Sequence, residues 1–209
     1  MTIQKSYFAW IAATSLGLCV GFLASLQVIM LIAHRQLIWV DDILSGMDGY
    51  LAVFVGLLVG GTILGATQSM VMRSYDIPVT PWILATAAGF AAMSVVIIPL
   101  LHIEVWGNIP GPIEPLAITV GGCSMAGVFQ YMVLRRNQIR AAKWLGIWVV
   151  SLILGIIPTS VIFLTLLGPL GISMSWPVEI ALTGFLIGGF GALFSGQTFL
   201  KSLSQRLAT

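Results

Sequence analysis

Three glutamines, Gln68, Gln130 and Gln197, stand in otherwise apolar stretches, each followed within five residues by a basic side chain, Arg73, Arg135 or Lys201. A primary amide carries two donors and an acceptor, so one held away from water needs partners. Two readings follow: glue between neighbouring helices, or a ring of amides lining a polar constriction. His34 and His102 each follow an apolar run and lie near Asp41, Asp42, Asp48 and Glu104. Imidazole and carboxylate together can ligate a metal ion, and a lone imidazole can serve a haem or chlorophyll as axial ligand. No H-x-x-x-H or H-E-x-x-H spacing accompanies them, so no metal is assigned. His34 and His102 remain candidate cofactor ligands, with the cofactor unknown; hydrated interfacial histidines are the simpler reading. Trp39, Trp106 and Trp176, with Asp41 and Asp42, fall in the loops at the outer ends of the apolar segments and would line a pocket there. Aromatic belts at the two membrane surfaces explain them, and Trp10, Trp82 and Trp144, without a ligand.

The elements that must hold these residues are apolar. Of 209 residues, 58% are hydrophobic and 8% charged, against the roughly 25% charged of ordinary soluble domains. The chain reads as an all-α integral membrane protein, a single domain over 1–209. A crossing needs about 20 apolar residues, and six segments qualify: 7–33, 51–72, 82–101, 116–134, 144–167 and 180–200. Lys5, Arg73, Arg135, Arg136, Arg140, Lys143, Lys201 and Arg206 collect at one end of these segments, and Arg35 alone at the other. Basic residues favour the cytoplasmic side, so both termini are expected there. The location is a bacterial cytoplasmic (inner) membrane or an internal one. The first segment is too long for a signal peptide and reads as a retained helix.

The segments fall into two designs. Gly60-Gly61 precede Gln68, Gly121-Gly122 precede Gln130 and Gly188-Gly189 precede Gln197. Trp10-Ile11 and Trp82-Ile83 open the first and third segments with Ala, Thr and Gly at matching offsets, and Trp144 opens a more diverged fifth. Gln68 to Trp82 and Gln130 to Trp144 share Gln, Met, Val, Arg, Ile and Trp in register. Three pseudo-repeated hairpins about an axis along the membrane normal would produce this pattern. The pattern resembles that of a group of uncharacterised bacterial multi-pass membrane proteins, which repeat Gly-Gly, Gln, Leu-Arg and a Trp opening the next helix. The resemblance covers roughly 56–155 and 182–201; it implies architecture and no activity.

Gly17/Gly21, Gly56/Gly60, Gly61/Gly65 and Gly184/Gly188 have the G-x-x-x-G spacing that lets two helix backbones approach. They are expected to pack the bundle, or to dock a protein partner through glycine-rich faces. Cys19 and Cys123 read as small packing residues. The basic run from Arg135 to Lys143 is too short for nucleic acid and reads as a topology anchor on the lipid bilayer. No Asp, Glu, Lys or Arg lies in the middle of any segment. Ion-coupled carriers and buried acid–base enzymes need such groups. The expected function is therefore non-catalytic: a small-solute binding or permeation unit. The alternatives are an accessory or assembly subunit packed against a larger membrane complex, with pigment or lipid, and an enzyme confined to the outer interface.

Overall fold

The computed structural model describes residues 3–35, 47–102, 113–137, 142–162, 165 and 176–207. Among them the chain is helical, with no strand: α1 (Ile3–Arg35), α2 (Met47–Met72), α3 (Val79–His102), α4 (Ile113–Arg136), α5 (Ala142–Ile162) and α6 (Trp176–Leu207). The helices extend beyond the apolar runs, most at α6, which continues through the charged segment to Leu207. Hydroxyls inside the helices bond to carbonyls of their own preceding turn, as Thr62 does to Leu58 at 2.7 Å and Ser195 to Gly191 at 2.9 Å. Buried Ser and Thr are satisfied in this way without interrupting the helix.

Consecutive helices pack side by side, and α6 closes the ring against α1. The closest approaches are at glycines. A Cβ on Gly21 would lie 2.8 Å from the Gly60 carbonyl oxygen, and one on Gly60 would lie 2.9 Å from that of Gly21, so α1 and α2 touch backbone to backbone. Gly17 faces Leu64 and Thr67 of α2, and Gly56 faces Ser25 and Ile29 of α1. Gly61 and Gly65 meet Ala87 and Ile83 of α3 at 2.9 Å each. Gly184 and Gly188 seat α6 on Leu18 and Ser15 of α1, also at 2.9 Å. Each glycine of the four G-x-x-x-G pairs thus faces a neighbouring helix of this same chain.

One connection is short and well defined. After α2 the chain makes a 3-10 turn, Arg73–Tyr75, and Asp76 takes a left-handed conformation with φ 54°. Ile77 N–H donates to the Met72 carbonyl and Asp76 N–H to that of Arg73, both at 3.3 Å. This is a Schellman closure, and its usual hydrophobic contact is supplied by Met72 and Ile77, both buried.

Among the described residues two helical stretches, Gln4–Ile32 and Tyr50–Tyr75, are long and apolar enough to cross a membrane, and 33% of an 18-residue window in each is buried within the bundle. Phe8, Met70, Leu84, Val95, Met132 and Ile157 are all more than half exposed. Inside, an apolar core built around Trp10, Leu64, Met72 and Trp82 also buries polar side chains, among them Thr14, Gln68, Thr86, Gln130 and Ser195.

Candidate functional site: a buried amide network beside an aromatic cluster

Gln68 of α2 and Gln130 of α4 are both fully buried and bonded to each other, Gln130 Nε2 donating to Gln68 Oε1 at 3.1 Å. The same Gln68 oxygen accepts from Trp82 Nε1 at 3.3 Å. Gln68 Nε2 donates to Thr14 Oγ1 of α1 at 3.4 Å, and Gln130 Nε2 donates to Thr86 Oγ1 of α3 at 2.9 Å. Thr86 passes its own hydrogen to the Trp82 carbonyl, one turn earlier on α3, at 2.9 Å. Four consecutive helices are therefore joined by one connected set of neutral hydrogen bonds. The one amide atom without a partner is Gln130 Oε1.

The geometry that delivers these groups is visible in the sequence once burial is known. Trp10 and Thr14 on α1, and Trp82 and Thr86 on α3, are four residues apart and share a helix face. That face is internal, because Trp10 and Trp82 are fully buried. They are core residues, which corrects their expected place in an interfacial belt. The physical reason is that an indole N–H needs a buried acceptor, and for Trp82 the Gln68 oxygen is one.

Gln197 does not join the set. It is exposed on α6, so of the three glutamines only Gln68 and Gln130 are brought together, and they act as glue between helices rather than as part of a three-membered ring. The register that matters is counted from a different glycine. Gly65 lies three residues before Gln68 and packs on α3; Gly127 lies three before Gln130 and packs on Leu145 and Trp148 of α5. On α6 the glycine seated on the next helix is Gly196, against Trp10 and Tyr7 of α1, and three residues on from it stands Phe199. Phe199 is buried, with its ring 5.1 Å from that of Trp10 and stacked at 6.2 Å on that of Trp82. Gln197, two residues earlier, is turned roughly 200° away on a helix of 3.6 residues per turn.

On the fifth helix Trp148 is buried; the side chain of Trp144, expected to open this helix at the membrane surface, lies outside those described. Trp148 stands seven residues before Gly155, as Trp10 does before Gly17 and Trp82 before Gly89. Each of these glycines meets the helix that follows: Gly17 meets Leu64, Gly89 meets Ala126, and Gly155 meets Ile187. The crevice between α1, α5 and α6, lined by Thr14, Leu18, Trp148, Ser151, Ile187 and Gly191, has no room for a water molecule.

His34 and His102 occupy the last turns of α1 and α3. Trp176 is the first residue of α6. The described side chains do not include these three. Trp39, Asp41, Asp42 and Trp106, the remaining candidates for an outer pocket, lie outside the described residues. Among the described residues no group of three or more His, Cys, Asp or Glu is placed to hold a metal ion. No protein-family model, curated protein or solved structure matches this chain.

Proposed function

We propose that the chain is a non-catalytic, multi-pass membrane protein that binds a small uncharged molecule within its helix bundle. All six helices would cross the bilayer as three related hairpins with both termini in the cytoplasm. The observation that carries the reading is an apolar outer surface around a core that buries a hydrogen-bonded amide network. Apolar side chains such as Met70, Leu84 and Val95 point outward, while two fully buried glutamines and their threonine partners lie inside. A lipid phase tolerates that arrangement, because polar groups are then the ones needing cover. The tryptophan-to-glycine spacing repeated on α1, α3 and α5 supports the three-hairpin arrangement, as does the glycine three residues before Gln68, Gln130 and Phe199. The buried polar side chains described are Ser, Thr and Gln. They offer hydrogen bonds but no proton carrier, which favours binding over acid–base chemistry or ion coupling.

An accessory subunit of a larger complex is the second reading, favoured by the tightly closed crevice beside Trp148. It would dock through the outer apolar surface, since the glycine faces are occupied by the chain's own helices. Extraction in mild detergent followed by native mass spectrometry separates the two. The binding unit should appear as the chain with a small-molecule adduct. A stoichiometric second protein with no such adduct would sink the binding reading.

A further inference from the structure

The hydrogen bonds around the two glutamines have one consistent direction. An indole nitrogen donates and cannot accept, so Gln68 must turn Oε1 toward Trp82. Gln130 must then present Nε2 to the same oxygen, and its second N–H goes to Thr86, whose hydroxyl hydrogen is already committed to a carbonyl. Rotating the Gln68 amide by half a turn would set N–H against N–H, and rotating that of Gln130 would set oxygen against oxygen. The network therefore ends on an acceptor, Gln130 Oε1, which is buried and unpartnered. A group that completes it must be a donor.

The surroundings narrow that donor further. On α4, Ala126 meets Gly89 of α3, and Gly127 meets Leu145 and Trp148 of α5. Gln130 follows both by one turn, at the junction of the three helices. The outer faces of α4 and α5 are apolar, with Met132, Val150 and Ile157 exposed. No charged side chain is buried among the described residues, so an ionic group would find no counter-charge.

We propose that Gln130 Oε1 accepts a hydrogen bond from the hydroxyl of an uncharged lipid-soluble alcohol drawn from the apolar phase around the bundle. The proposal rests on the membrane-binding reading above and adds to it the ligand class and the recognising atom. The test uses the whole chain in mild detergent with two photoreactive probes. One is a long-chain alcohol carrying a diazirine; the other is its methyl ether, which cannot donate. Labelled peptides are read by mass spectrometry. The alcohol should label α4 several-fold more than the ether. Gln130→Leu should bring the two to equality. Thr86→Val loosens the same network but keeps Oε1, and should preserve the preference. Equal labelling in the wild-type chain overturns the proposal. So does a preference that survives Gln130→Leu, or one lost equally in Thr86→Val, since it would then follow bundle integrity. Failure here is distinct from failure of the binding reading, which a co-purifying protein partner decides.

Discussion

Gln68 and Gln130 differ in how many groups depend on them, and that difference predicts unequal substitutions. Gln68 serves Thr14, Trp82 and Gln130, whereas Gln130 serves Gln68 and Thr86. In Gln68→Leu the Trp82 N–H is left in the interior without an acceptor. A stranded buried donor costs about 1–3 kcal/mol. In Gln130→Leu the Gln68 oxygen keeps Trp82 and the Thr86 hydroxyl keeps its carbonyl, so the loss should be near 1 kcal/mol, the scale of interhelical bonds in membranes. Gln197→Leu should be neutral, because the side chain is exposed. Thermal melts of the three variants in one detergent should rank Gln68→Leu lowest and Gln197→Leu level with wild type. A Gln197→Leu protein that melts like Gln68→Leu would contradict the pairing described here. Phe199→Ala should cost more than any of them, about 3–5 kcal/mol, since it empties the place between Trp10 and Trp82.

At the scale of elements, the bundle is set by where backbone meets backbone. A methyl at Gly89 would run into the Ala126 backbone of α4, whereas one at Gly146 of α5 would meet nothing within 4 Å. Gly89→Ala should therefore destabilise by about 1–3 kcal/mol through overpacking. Gly146→Ala should stabilise by up to about 1 kcal/mol, as alanine is the better helix former. Chemical denaturation of both variants checks the opposite signs, and a shared sign would refute the packing argument. The α2–α3 connection offers a third case. Asp76 holds a left-handed conformation that glycine adopts freely, so Asp76→Gly should raise the melting temperature and Asp76→Val should lower it. The G-x-x-x-G pairs were legible because four-residue spacing on a helix returns to one face. The register of α6 was not. Gly188-Gly189 precede Gln197 by the same interval that separates Gly121-Gly122 from Gln130. Spacing alone cannot choose between such candidates; the helix each glycine touches does. The tryptophans misled for a related reason, because an indole suits both a membrane surface and a buried amide.

For the whole molecule, the ring of helices puts charge at its ends and little in its interior. Lys5 opens α1, Arg73 follows α2 and Arg135 and Arg136 end α4; all four are exposed. If consecutive helices alternate in direction across a bilayer, these ends share one side with both termini. Arg73 and Arg135 then anchor equivalent corners of two hairpins, with the Gln68–Gln130 pair about one turn deeper on the same side. The arrangement makes a topological prediction that does not depend on any ligand. Cysteines introduced at Asn108, between α3 and α4, and at Asn137, just past α4, should face opposite compartments. The native Cys19 and Cys123 are first changed to Ala to clear the background. An impermeant thiol reagent added to intact cells should label the Asn108 position and spare Asn137, and permeabilised cells should label both. The test discriminates because α4 alone separates the two positions. A single crossing by α4 gives opposite sides, whereas a bundle lying on or outside the membrane leaves both on one side. Labelling of both in intact cells would therefore remove the six-crossing architecture, while the hydrogen-bonded core of the ring would stand unchanged.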